Sequence, residues 1–200
     1  MGTLSDSFIP RRDRIIASAI EIISDSGLAA LTTKNLAMKE NMSEGLLYKY
    51  FGGINEVLVE VVEVYSRFDK GLRGTVLAKE GSYMEKLNDY LVAYATYYEN
   101  YYAISTLMLH YEELLHNMDT REIIASCITE RIMFLENLFE AAIKNGEISD
   151  VLTPWELANN VTGIMMTHIL TRRIANQKKS FKNEVMDNLN KLFNLIKLDK

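Results

Sequence analysis

Three stretches of this 200-residue chain hold side chains whose types and spacing could do chemistry. The first runs from Thr33 to Tyr50. Thr33, at a helix start, can offer its hydroxyl and backbone N–H to a phosphate oxygen. Lys34 beside it can reach a phosphate or a guanine edge. Further along, Ser43, Glu44, Gly45 and Leu46 form a leading end suited to base-pair edges. Glu44 can accept from cytosine N4, Leu46 can touch a thymine methyl, and Gly45 lets the backbone come close. The second stretch is rich in tyrosine: eight of the eleven tyrosines fall between 83 and 111. Tyr90, Tyr94, Tyr97 and Tyr101 share one helix face, giving rigid aromatic walls with polar tips that suit an amphipathic or aromatic ligand. Met108, His110, Met133, Phe134, Met165, Met166 and His168 are further lining candidates, because methionine adapts to varied shapes. The same stripe could equally be inter-helix packing. The third stretch, HYEELLH, spaces His110, Glu113 and His116 three apart. It supports an alternative reading as a helical metal-binding or enzymatic protein.

That alternative is thin. A di-iron helix bundle needs a second Glu-x-x-His and two more inward carboxylates. The chain's remaining histidine, His168, follows Met165 rather than a glutamate, and 3-plus-3 spacing turns His116 off the face of His110. No Gly-x-Ser-x-Gly or glycine-rich phosphate loop occurs, and Cys127 sits within an apolar helical run. No cofactor, metal or catalytic residue is expected.

The elements that must position the first stretch are short. Thr32 and Thr33 are N-cap candidates for a helix over 33–39 that buries Leu36 and Ala37. Asn41 falls where a turn needs a left-handed residue, and Met42 plugs the space behind it. Ser43 can cap a second helix over 44–50, broken by Gly52 and Gly53. Two short helices around a tight turn match a helix-turn-helix, whose second helix fits the major groove. Ahead of them, Pro10 opens a helix carrying Ile15, Ile16, Ala19, Ile22 and Ile23 at helical spacing, and Gly27 stops it. Arg11 and Arg12 could reach flanking phosphates or the minor groove, and Lys39 reads as solvated.

Beyond residue 54 the pattern is helical throughout, over 55–77, 82–100, 102–116, 120–145, 154–175 and 181–198, with some loosening at Gly71 and Gly74. Breaks fall near 79–81, 117–119, 146–150 and 176–180. A helix running unbroken past Tyr101 is also compatible with the sequence. The expected class is all-α: a three-helix head over 1–54 and a larger body over 55–200, about nine helices in total. The formal net charge of −5 lies wholly in the body, since residues 1–53 hold six Lys/Arg against six Asp/Glu. Charge alone would not predict nucleic-acid binding. One cysteine excludes an intramolecular disulfide and cysteine-rich zinc modules. No stretch reaches 18 consecutive apolar residues and the N-terminus lacks a signal-peptide core, so a soluble cytoplasmic protein without membrane association is expected; Gly2 fails in context as a myristoylation signal.

These residues resemble the TetR family of bacterial transcriptional regulators. The likeness is strongest over 14–58, in SDSGLAAL, TTKNLA and NMSEGLLYKYF, and weaker in AAIKNGEISDVLTPWELANNVTGIM. It implies a homodimeric repressor that leaves a double-stranded DNA operator when a small-molecule effector enters the body. Tyr48, Lys49 and Tyr50 match the family's backbone-gripping segment, with both tyrosines as phosphate donors. One departure is Ile54, where the family usually has a lysine; one phosphate contact is lost.

Dimerisation is expected through the last two helices, using the stripes Leu157, Val161, Ile164, Met165, His168, Ile169 and Val185, Leu189, Leu192, Phe193, Ile196. Paired heads would then sit about 34–36 Å apart, reading successive major grooves of a roughly palindromic site. A tilt of the 55–77 helix is the expected way for an effector to change that spacing.

Overall fold

The computed structural model describes residues 9–175 and 179–198. Gly2 and part of the break expected over 176–180 lie outside the described residues. Among them the architecture is all-α. Helix α1 (Arg11–Ser26) buries Ile15, Ile16, Ala19, Ile22 and Ile23, the set its spacing requires. Gly27 ends it at φ 84°, with its N–H on the Ile23 carbonyl at 2.9 Å. A 3-10 turn over Leu28–Ala30 leads to α2 (Thr33–Lys39). Thr32 is the cap, accepting from Asn35 N at 3.1 Å. Asn41 takes the left-handed conformation at φ 50°, and Met42 packs half-buried against the core behind it.

Helix α3 (Glu44–Leu47) is shorter than expected. Its continuation tightens: Lys49 N bonds to Leu46 O and Tyr50 N to Leu47 O, the three-residue repeat of a 3-10 turn. That tightening tucks Tyr50 and Phe51 back onto the core instead of letting the rod run on into solvent.

Helix α4 (Ile54–Leu77) crosses from head to body without loosening at Gly71 or Gly74. The buried ion pair of Asp69 with Arg73, one turn apart, spans Gly71. Helix α5 (Tyr83–Asn100) begins with a reciprocal capping box between Ser82 and Glu85 and ends at Tyr101, whose φ −121° and ψ 61° are not helical. The helix expected over 102–116 is divided into α6 (Tyr102–Ser105), a 3-10 stretch (Thr106–His110) and α7 (Tyr111–His116). Ser105 and Thr106 hydroxyls donate back to the Tyr102 and Ala103 carbonyls at 2.6 and 2.7 Å, favouring the tighter turn. Helices α8 (Arg121–Lys144), α9 (Pro154–Ala175) and α10 (Phe181–Ile196) follow, close to their expected limits. The one pairing of strand type among the described residues is an isolated bridge between Ile148 and Lys197.

In the body α8 lies against α4, α5, α7 and α9, and α10 closes over α5 and α9. The head is held by α1, which packs on α4 and α6, and by Arg173 of α9, which donates to the Ser24 carbonyl. One connected core runs through both. Burial corrects the expected dimer stripes. Leu157, Val161, Met165, Ile169, Val185, Leu189 and Ile196 are buried inside this chain, so they face α8 and α5 rather than a second copy. None of the described helices is long and apolar enough to cross a membrane.

Candidate nucleic-acid interface and sensor core

Leu47 is buried and anchors α3, while Ser43, Glu44, Gly45, Tyr48 and Lys49 on the other side are exposed and Leu46 is half-buried. Tyr48 leaves 54% of its surface in solvent. The Ser43 hydroxyl caps α3 by accepting from Leu46 N at 3.2 Å, so its own proton stays available to an outside acceptor. Beyond its chain neighbours and its own helix backbone, no heavy atom lies within 4 Å of the position a Cβ on Gly45 would take. Nothing inside the chain therefore demands glycine there.

At the start of α2, Lys34 is exposed and Thr33 half-buried. The Thr33 hydroxyl donates to Glu44 Oε2 at 2.7 Å, joining the leading ends of α2 and α3. Two contacts anticipated for DNA, the Thr33 hydroxyl on phosphate and the Glu44 carboxylate on a base, are thus engaged with each other. Tyr50 is half-buried and its phenol belongs partly to the core.

Arg12 departs from expectation. Its guanidinium contacts Glu60, with Nε at 3.0 Å from Oε1, and Glu56 Oε1 at 2.8 Å. It also donates to the Tyr50 carbonyl and lies 4.1 Å over the Phe51 ring. The bonds to Glu60 and Glu56 raise its pKa further, so it is a permanent cation spent inside the head. Arg12 is a clamp between α1, the exit of α3 and the first turns of α4. A phosphate contact would have to break it. Lys39 likewise pairs with Glu21 at 2.8 Å, a bond that raises its pKa. Ile54, in the place of the family lysine, opens α4 and packs half-buried on the core.

The candidates for the ligand site divide sharply. Tyr90, Tyr94, Met108, Phe134 and Met165 are buried, and all but Phe134 line one small cavity between α5, α8 and α9, about 20 Å³ in volume. Tyr97 instead stacks on Phe68, ring centroids 3.5 Å apart. Tyr101 and Met133 are exposed. His110 is half-buried with Nδ1 on Glu113 at 3.1 Å, and His168 bonds Asn188 on the outer side of α9 and α10. These five residues do not join the cavity.

Three buried charged residues, of which Arg131 borders this cavity, carry no mark of function in the sequence. Asp69 and Arg73 of α4 and Arg131 of α8 are all buried. Asp69 accepts from Tyr90 OH at 2.7 Å, from Arg131 Nε at 3.3 Å and from Arg73. Arg131 donates to Tyr111 OH at 3.0 Å and Tyr65 OH at 3.2 Å. Tyr98 bridges Tyr65 and Tyr94, closing a ring of phenols around the guanidinium. Burial pushes all five phenols (Tyr65, Tyr90, Tyr94, Tyr98 and Tyr111) well above the usual tyrosine range, so each stays a neutral hydroxyl. Burial works against the Arg131 charge, and the Asp69 carboxylate on Nε together with the phenol oxygens that accept from its Nη atoms supports it. Their spacing carries the one available signal. Tyr65, Asp69, Arg73 and Val76 continue the buried stripe of α4 begun by Leu58, Val61 and Val62.

The HYEELLH segment does not assemble a metal site. His116 is exposed and bonds the carbonyl of Glu112, away from the His110–Glu113 pair. Among the described residues no group of three potential ligands converges.

Residues 15–61 match the family model for bacterial regulatory proteins of the tetR family. Comparison with curated proteins gave no match. Solved structures that the chain resembles include the ketosteroid transcriptional regulator KstR2 of Mycobacterium tuberculosis. It has 14% identity and a TM-score of 0.85, over 95% of this chain and 96% of that one. FadR of Bacillus subtilis, a transcriptional regulator solved with stearoyl-CoA, has 19% identity and a TM-score of 0.73 over 92% and 98%. The TetR-family regulator PfmR of Thermus thermophilus has 18% identity and a TM-score of 0.79 over 94% and 100%. The head of this chain is a tetR-family DNA-binding domain, and the chain as a whole takes the fold of that family's transcriptional regulators.

Proposed function

We propose that the chain is a homodimeric transcriptional repressor whose head, residues 1–54, binds a roughly palindromic operator, and whose body, 55–200, binds a small effector that releases it. The observation that carries this is α3: its outer side is polar and exposed, and its inner side is pinned by one buried leucine. Lys34, Ser43, Gly45, Leu46, Tyr48 and Lys49 present the groove-facing surface. Glu44 and Thr33 exchange their mutual bond for contacts on DNA. The ketosteroid transcriptional regulator KstR2 and the FadR solved with stearoyl-CoA share this fold, in keeping with a largely apolar effector.

For two copies to pair, the surface that the chain's own core leaves over must serve. On α9 that surface is Trp155, Gly163, Met166, Leu170 and Ile174, at helical spacing, and on α10 Leu195. Effector binding acts through α4, which holds the head through the Arg12 clamp and the body through Asp69. Release requires the effector to bind better to the arrangement of α4 that misplaces the heads.

The test is a gel shift of the full chain with DNA flanking its own gene, repeated across salt concentrations. Specific retention over competitor DNA, with a steep salt dependence, is expected. Lys34→Ala should weaken binding on every sequence and lower the salt slope by about one. Binding that ignores both sequence and salt would overturn the proposal.

A further inference from the structure

We infer that the effector is an amphipathic organic monocarboxylate whose carboxylate seats on the Nη fork of Arg131, an inference that rests on the effector-released reading above. The buried centre holds two guanidiniums, Arg73 and Arg131, against one fully buried carboxylate, Asp69. The fourth charge, Glu130, pairs with Arg73 from a half-exposed position at the edge. The fully buried part of the cluster thus carries one net positive charge, balanced by Glu130 at the solvent edge, and favours a further negative group over a positive one.

Arg131 is also under-used in a specific way. Asp69 contacts it through Nε alone, at 3.3 Å. The two Nη atoms, the fork that matches a carboxylate's paired oxygens, spend themselves on neutral partners: Tyr111, Tyr65 and the Cys127 thiol at 3.6 Å. Burial raises the Cys127 pKa, so the thiol adds no negative charge. Arg131 borders the cavity, whose other walls include Leu91, Met108, Leu135, Val161 and Met165. A charge-seeking fork among apolar walls selects an acid with an apolar body.

At about 20 Å³ the cavity has room for roughly one water. An effector must part α5, α8 and α9, and the two methionines in the wall can adapt to it. The carboxylate competes with Tyr65 for the fork. Tyr65, Asp69 and Arg73 sit on one face of α4 at successive turns. Glu56, at the clamped end of the same helix, lies thirteen residues before Asp69, which is about 20 Å of helix. Displacing Tyr65 loosens α4 from α8 and moves the end that carries the head.

Isothermal calorimetry on the full chain, using decanoate below its micelle concentration and the neutral isostere decanamide, tests the inference alongside release from the operator fragment. Decanoate is expected to bind at least about tenfold tighter than decanamide, the margin of a charge-assisted bidentate contact. Arg131→Gln should bring decanoate down to the amide's level and leave the amide within about twofold. The wild-type comparison stands even if that variant does not fold. Equal or tighter binding of decanamide, or no binding of either, overturns the inference, as does a folded Arg131→Gln that keeps the preference. If decanamide releases DNA as well as decanoate does, the effector reading stands and the carboxylate fork falls. If the chain holds no DNA at all, the effector reading falls, while calorimetry still decides on the fork.

Discussion

Gly45 is the second residue of α3, exposed, with open space where a side chain would stand. Glycine at a helical position that alanine could also adopt costs about 0.4–1 kcal/mol, through the greater freedom of the unfolded chain. A residue that weakens its own helix without relieving any internal clash is best accounted for by something outside the chain, here a duplex approaching the backbone of α3. Gly45→Ala should therefore raise stability by about 0.4–1 kcal/mol in urea melts. It should also weaken operator binding by about tenfold, the equivalent of one displaced contact. Unchanged affinity in the gel shift would remove Gly45 from the interface. The neighbouring phenol separates two roles. Tyr48→Phe keeps the ring and deletes the hydroxyl, so weaker binding without loss of stability assigns that hydroxyl to a phosphate.

At the scale of elements, α10 depends on a carboxylate from another helix. Glu99, near the end of α5, accepts from Lys182 N at 2.7 Å and from Ser180 Oγ at 2.8 Å, tying the first turn of α10 to the body. The Lys182 backbone N–H, helped by Ser180 and nearby cations, holds the Glu99 pKa below its ordinary 4.5. A depressed native pKa means that the unfolded chain binds the proton more readily. The stabilisation is then full above about pH 4.5 and is lost as pH falls through the native value. Glu99→Gln should lower the melting temperature at pH 7 and flatten its decline between pH 5 and 3, about the range in which carboxylates titrate. Parallel declines in the two proteins would show that Glu99 does not supply the linkage. This tie is not legible in the sequence, because its partners lie 81 and 83 residues apart. Local signals are legible: Thr32 and Ser43 as caps and Asn41 as the turn residue act within a few positions of themselves. The division of 102–116 stays hidden because hydroxyl back-bonding from Ser105 and Thr106 overrides an adequate helical pattern. Arg131 stays hidden for the opposite reason. A charged residue in a helix reads as solvated until a second helix brings it a carboxylate, and Asp69 is 62 residues away.

At the scale of the whole molecule, the apolar stripes of α9 and α10 suggest a partner in the sequence but belong to this chain's core. Periodicity identifies an apolar face but not what covers it. The outer side of α9 then carries the assembly argument. Trp155 is 61% exposed and Ile174 75%, and Met166 and Leu170 stand between them on the same side. Gly163 lies among these residues with nothing within 4 Å of a Cβ, so again no internal contact explains it. A helix from a second copy crossing there would explain it, since the lack of a side chain permits close approach around a two-fold axis. His168 and Asn188, bonded at 2.8 Å, fix α9 to α10 on this side, so the two helices would meet the partner as one unit. Leu170→Glu would place charges opposite each other or against apolar surface at such an axis, without disturbing the buried core. Light scattering should show the variant as a folded monomer. Its operator affinity should fall by about a hundredfold or more, because linking two heads raises affinity by that order. Glu at the exposed Met118, far from α9 in sequence and likewise on the surface, should change neither property. If Leu170→Glu remains dimeric with full affinity, pairing uses another surface, and the spacing of the heads must be derived again from that one.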